Sequence, residues 1–252
     1  MLIGGTEIQF ENLTQTSTAR LFGIVLDSIE SGPKVVQFQC ENSSLRQAFE
    51  ELSTAALPPY IHTHLAQTER YQTVYAQTIL GNGSAAAPTA GLHFTPQLLS
   101  TLQNRGTEVA AVSLSVGLDT FRPIQTRLFS EHVMTGELCA ISKETCDAIQ
   151  RTSGRVIAVG TTSARTLETF ARMPGAKGRH LLAGQTESKL FLYPGHGFKL
   201  VDGLLTNFHM PNTTMLLMVA ALAGRENVMR AYAEAIQNRY RFLSFGDAML
   251  II

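Results

Sequence analysis

Beyond residue 95 the sequence alternates between segments whose apolar residues recur at helical spacing and short β-branched runs, and this alternation narrows the fold more than any other feature. Thr95-Pro96 supplies an N-cap and a first-turn proline for a helix that should stop at Gly106, and 108–116 follows as a buried strand. Ser142 opens another helix ending near Gly154. A strand over 155–159, a helix over 163–172, a strand over 189–193, helices over 211–223 and 225–239, and a closing strand over 240–245 complete the series. On 225–239, Val228, Ala231, Tyr232, Ala235 and Ile236 share one face. Such alternation predicts an α/β unit with largely parallel strands, open or closed into a barrel.

The first 40 residues read differently. The runs TEIQF, ARLFGIVL and KVVQFQC are separated by the polar NLTQTST and the turn-forming Glu30-Ser31-Gly32-Pro33, which predicts a small antiparallel meander. A meander of this size is marginal alone, so a covering element is expected from elsewhere. A short helix over 44–53 and the rigid Leu57-Pro58-Pro59-Tyr60 then mark a boundary, giving units 1–54 and 55–252. Apolar residues at 44% exclude a disordered chain, and 20 basic against 20 acidic residues exclude a generally basic nucleic-acid binder. Any RNA contact must use a local cationic face. Cys40, Cys139 and Cys146 show no metal-type spacing, and their odd number fits reduced thiols, so neither disulfide framework nor metal site is expected. The longest apolar run, 215–224, is about half the length of a membrane-spanning helix, and a soluble, cytoplasmic protein is the expectation.

In parallel α/β folds ligands bind beyond the C-terminal ends of strands, and the informative loops fall at such junctions. Gly81-Asn82-Gly83-Ser84 and the run from Ala85 to Thr95 form a small-residue loop with His93 just before a helix start. It suits either close approach of a ligand or a tight turn with His93 packed into it. Val159-Gly160-Thr161-Thr162-Ser163-Ala164-Arg165 sets two hydroxyls and a helix start beyond a strand, with Arg165 opposing the helix dipole. An anionic ligand explains that arginine, and so does an ion pair with Glu168. Asn207 and His209 in Thr206-Asn207-Phe208-His209 offer an amide to a base edge and an imidazole to a proton, with capping and turn bonding as competing uses. Tyr193, with Phe191, suits a stacking wall or the core. Asp247 beyond 240–245 suits a carboxylate base or a turn.

Together these segments resemble the S-adenosylmethionine:tRNA ribosyltransferase-isomerase family of queuosine biosynthesis. The resemblance rests on Leu57-Pro58-Pro59-Tyr60-Ile61, Glu69-Arg70-Tyr71-Gln72-Thr73-Val74-Tyr75-Ala76, the AAPTAGLHFT run ending at Thr95, Thr120-Phe121-Arg122-Pro123, VGTTS-x-RTLE ending at Glu168, Tyr193-Pro194-Gly195, Thr206-Asn207-Phe208-His209 and YRFLSFGDAML ending at Leu250. It spans this chain and the latter part of a typical family member. It implies a barrel-like, parallel-rich main domain, with residues 1–54 the latter part of a smaller inserted β domain. It also implies that the opening section of the main domain, with the family's Asn-Asp-Thr-Arg segment, lies outside this chain, and a separately encoded N-terminal half is a candidate partner.

The resemblance implies a reaction in which S-adenosylmethionine donates ribose carbons to the aminomethyl group of 7-aminomethyl-7-deazaguanine at the tRNA wobble position, releasing adenine and methionine without a metal. It implies His93, His209 and Asp247 as catalytic candidates. Thr89, Thr161, Thr162, Tyr193, Asn207 and Arg241 would contact substrate, and Arg122 and Arg165 would bind an anion, either tRNA phosphate or the methionine carboxylate. Where the family has His-Val-Gly-x-Gly-Thr-Phe, this chain has Ser115-Val116-Gly117-Leu118-Asp119-Thr120-Phe121; His-Ser-Glu becomes Thr135-Gly136-Glu137; and Asn212 replaces a lysine. Those losses leave two other readings open: a non-catalytic nucleoside- or tRNA-binding protein, and a divergent transferase with a smaller acceptor.

Overall fold

A computed structural model describes residues 3–10, 20–28, 34–52, 57–63, 65, 67–76, 84, 86–117 and 124–252. The chain separates into two compact units, Met1–Ala55 and Ala56–Ile252.

In the first unit β1 (Glu7–Phe10), β2 (Arg20–Ser28) and β3 (Lys34–Glu41) form the expected antiparallel meander in the order β1-β2-β3. Glu7 pairs with Ile24 and Leu21 with Cys40, and a register shift between Val25 and Asp27 bends the central strand. Half-buried and exposed residues alternate strictly along β3, as one covered face requires. The covering element is α1 (Leu45–Leu52). Ser44 opens it with a capping box: its hydroxyl accepts from the Gln47 amide at 3.3 Å, while Gln47 Oε1 accepts from the Ser44 amide at 3.1 Å. Ala48 is fully buried, as are Leu21 and Val25, and the Phe38 ring lies 5.6 Å from Phe10 and 5.0 Å from Phe49.

Among the described residues, the second unit contains two three-stranded sheets. In one, β4 (Val112–Leu114), β5 (Glu137–Ile141) and β7 (Gly184–Ser188) pair antiparallel in the order β4-β5-β7. In the other, β6 (Ile157–Val159) runs parallel to β8 (Gly203–Asn207), and β9 (Ala248–Ile251) returns antiparallel to β8. The mixed α/β class therefore holds, while the expectation of largely parallel strands does not among the described residues: only β6 and β8 pair in parallel, and neither sheet closes. Alternating helix and strand signals fix the elements but not the direction in which each strand joins its neighbour.

The helices are α2 (Pro96–Asn104), α3 (Lys143–Arg151), α4 (Thr161–Phe170), α5 (Thr214–Ala223) and α6 (Arg225–Gln237). Thr95 caps α2 through the Leu98 amide, Ser142 caps α3 through Thr145, and Thr213 caps α5 through Leu216. Two strand expectations fail. Residues 189–193 lie just past β7, which is built from the more polar Gly184–Ser188. Residues 240–245 form a turn, in which Leu243 takes a positive φ of 70° and the Asp247 amide bonds back to the Arg241 carbonyl at 2.7 Å, so the last strand starts only at Ala248. Cys139, Ile141, Ala164, Leu167, Phe170, Leu192, Leu204 and Val219 form the heart of the core. All three cysteines are free thiols. Among the described residues no helix is long and apolar enough to cross a membrane.

Candidate active site

Because β6 and β8 are parallel, their C-terminal ends open at one sheet edge, and β9, running the other way, begins there. The Gly160 amide donates to the Leu205 carbonyl at 2.8 Å, and Ala248 pairs with Asn207. Thr161 and Thr162 follow β6, Asn207 closes β8, and Asp247 precedes β9. Gly160 has a φ of +88°, which favours glycine and turns the chain from β6 directly into α4.

The 3₁₀ turn Thr89–His93 reaches this edge. Thr89 Oγ1 donates to Asn207 Oδ1 at 3.1 Å, and Asn207 Nδ2 lies 3.1 Å from His93 Nε2. With its oxygen taken by Thr89, the buried amide presents an N–H to His93, so the neutral ring carries its own proton on Nδ1. Close packing fixes the turn from behind: a Cβ on Gly91 would come within 2.0 Å of the Tyr75 hydroxyl and 2.8 Å of Thr73 Cγ2. Desolvation holds His93 below the ordinary imidazole value, opposed by the Asp247 charge and reinforced by Arg241.

Asp247 accepts from the Arg241 amide at 2.7 Å and pairs with the Arg241 guanidinium at 3.0 Å. The guanidinium bond, then the backbone bond, hold its carboxyl below the usual carboxylate range. Tyr60 and Tyr71 brace the same turn: the Tyr60 hydroxyl lies 2.7 Å from Ser244 Oγ, and the Tyr71 ring 5.7 Å from Phe245. Burial pushes the Tyr71 hydroxyl up to about 12.

His209 occupies a different setting. Its Nε2 lies 2.9 Å from Thr206 Oγ1 and its amide donates to the Tyr232 hydroxyl at 2.8 Å. Burial pushes its imidazole down to about 4, so it is neutral at pH 7.

Beside the edge is a cleft lined by Met134, Thr161, Thr162, Arg165, Phe191 and Met215, among others. Its volume of ≈ 20 Å³ suits about one or two water molecules. Phe191 joins the cleft to an aromatic group. Tyr193 lies 5.1 Å from Phe191, 5.0 Å from Phe129 and 4.1 Å from His196.

Arg165 pairs not with Glu168 but with Glu137, the first residue of β5. Glu168 is fully buried and committed elsewhere: it accepts from the amides of Lys199, Leu200 and Val201 at 2.8 Å each and pairs with Arg172. Sequence reading passed over Glu137 because its motif drew attention only through the replaced residues beside it. Arg122, with the departure at Asp119, lies outside the described residues. Of the other departures, Ser115 keeps a backbone bond to the Leu138 carbonyl at 2.8 Å. Asn212 sits at φ 59°, a conformation asparagine tolerates better than most side chains.

A family model described as "Queuosine biosynthesis protein" matches residues 3–251. The chain is 43% identical over 251 residues to the S-adenosylmethionine:tRNA ribosyltransferase-isomerase of Desulforamulus reducens, covering 98% of this chain and 71% of that one. It is 49% identical over 238 residues to the protein of the same name from Heliobacterium modesticaldum, covering 92% and 67%. The crystal structure of S-adenosylmethionine tRNA ribosyltransferase from Thermotoga maritima superposes with a TM-score of 0.53 at 35% identity, over 100% of this chain and 66% of that one. With residues 3–251 matched and relatives of the same name at 43–49% identity, this chain belongs to the queuosine biosynthesis protein family.

Proposed function

We propose that this chain transfers and isomerises the ribosyl moiety of S-adenosylmethionine onto 7-aminomethyl-7-deazaguanine in tRNA, giving epoxyqueuosine-tRNA, adenine and methionine in the cytoplasm. The observation that carries this reading is the joining of Thr89, His93 and Asn207 at the edge where Thr161 and Thr162 also emerge, in a chain whose relatives carry that activity in their names. S-adenosylmethionine is the substrate, not a resident cofactor. We also propose a separately encoded N-terminal half as a partner of this chain.

The chemistry requires a proton to leave the carbon beside the sulfonium, a proton to reach the departing adenine, and water to be kept out. His93 fits the second task. Asn207 occupies its Nε2, so Nδ1–H is the donor left for substrate. Thr161 and Thr162 offer hydroxyls to ribose, and Asn207 and Thr89 hold the imidazole in one tautomer. Arg165 binds an oxyanion, and Arg122 is retained as a second anion contact. Tyr193, through its neighbour Phe191, offers a ring face to a base or to the sulfonium. Arg241 meets phosphate at the exposed rim, Asp247 sets the charge around His93, and His209 braces the exit of β8.

The replacements at Ser115 and Thr135, each removing an imidazole, favour the second reading, a binding protein without turnover. Incubation of the purified chain with S-adenosylmethionine and precursor-modified tRNA separates the two: free adenine supports the enzyme, and tRNA binding without adenine release supports the binding protein. Free 7-aminomethyl-7-deazaguanine in place of tRNA tests a smaller acceptor.

A further inference from the structure

We infer that Glu137 is a positioning residue that holds the Arg165 guanidinium at the cleft as a receptor for a substrate oxyanion. The inference rests on the reading of the cleft given above and adds to it the group that aims the receptor.

Glu137 is buried, with 4% of its surface exposed, at the start of the central strand β5. Its Oε1 accepts from the Gly117 amide at 2.8 Å, and its Oε2 pairs with Arg165 Nη2. One carboxylate therefore ties together β5, the loop beyond β4 and the second turn of α4. Arg165 is 7% exposed and lines the cleft with Thr161 and Thr162, which precede it by four and three residues and so share its helix face.

The guanidinium carries five N–H donors in a rigid fork. Among the described residues Glu137 is the acceptor that faces it, through one nitrogen, and a fork of five donors keeps others for a ligand. A guanidinium anchored through one nitrogen can still meet a carboxylate or phosphate through two others, the bidentate geometry such anions favour. Burial brings the arginine down to about 10, so it stays cationic at neutral pH. Breaking the pair would leave a buried cation uncompensated and free to turn from the cleft. The oxyanion is the carboxylate of the methionine moiety or a phosphate of the RNA, and binding can tell them apart.

The experiment compares the wild-type chain with Glu137→Gln and Glu137→Asp, measuring affinity for S-adenosylmethionine, for its decarboxylated analogue and for tRNA over a salt series. If the carboxylate is the ligand, wild type prefers S-adenosylmethionine over the analogue by about tenfold or more, and E137Q loses that preference while binding the analogue as before. If phosphate is the ligand, E137Q leaves that preference unchanged and flattens the tRNA salt slope by about one counterion. E137D keeps the charge on a shorter arm and shows a smaller loss in the same direction; where E137Q does not fold, that partial loss in E137D is the reading, and wild-type behaviour of E137D overturns the inference. In turnover, KM rises more than kcat falls. A folded E137Q with wild-type preference and salt slope overturns the inference and leaves the proposed function standing. A wild-type chain that binds neither S-adenosylmethionine nor tRNA overturns that function, and the inference with it.

Discussion

His93 bonds to Asn207 and His209 follows it by two residues in the chain, yet their surroundings oppose each other. His93 is half-buried, shares a hydrogen bond with Asn207 and feels both Asp247 and Arg241. His209 is buried against Thr206 and Tyr232, and desolvation dominates its proton affinity. Both imidazoles occur in polar loop motifs, and a loop position alone does not tell a proton carrier from a packed ring. Both rings are engaged through Nε2, and the difference lies in burial and in the partner that nitrogen meets.

The largest expected effect sharpens that contrast. His93→Ala should lower adenine release by about a hundredfold or more, within the range of general acid–base contributions, while thermal midpoint and circular dichroism remain near wild type. Turnover retained by H93A would remove His93 from the chemistry.

His209 should register in stability. Its folded value near 4 lies below the 6.5 of an unfolded chain, so between these values the unfolded state binds more protons. Its contribution is therefore complete above pH 6.5 and is lost as pH falls toward 4, amounting to about 3 kcal/mol at roughly 1.4 kcal/mol per unit. Urea unfolding of wild type and His209→Gln across this window should show a steeper acid loss in wild type. Equal slopes would contradict the assignment.

Asn207→Ala removes a buried amide and leaves the Thr89 hydroxyl and the His93 ring without it. It should cut kcat by about tenfold, with a smaller change in KM, because a lost hydrogen bond to a buried partner is worth about 1–3 kcal/mol. An unchanged kcat would show that His93 needs no orienting partner. The smallest effects come from the exposed Arg241–Asp247 pair. Arg241→Ala should shift the His93 titration upward and Asp247→Asn downward, by histidine NMR, with little change in thermal midpoint; shifts in the opposite sense would break the proposed electrostatic link.

Local chemistry made much of the fold legible. Thr95-Pro96 and Ser142 announced their helices because a cap needs only neighbouring residues, and the alternation along β3 declared its covered face. The segment 240–245 misled because its apolar spacing imitates a strand, whereas the positive φ at Leu243 and the return bond from Asp247 to Arg241 arise only once the turn packs. Strand direction was equally hidden, since nothing local to β5 or β7 specifies an antiparallel neighbour. At the site, His93, Asn207 and Thr162 could be picked out from their loops. The partner of Arg165 could not: a pair between a strand start and a helix turn distant in sequence leaves no spacing to read.

The most direct test of a shared site with unequal histidines is a pH titration of both ring signals by NMR, with and without S-adenosylmethionine. His93 should titrate below the ordinary imidazole value and move when S-adenosylmethionine is added, while His209 stays neutral down to about pH 4 in either state. A His209 that titrates near 6.5, or a His93 indifferent to S-adenosylmethionine, would contradict this account.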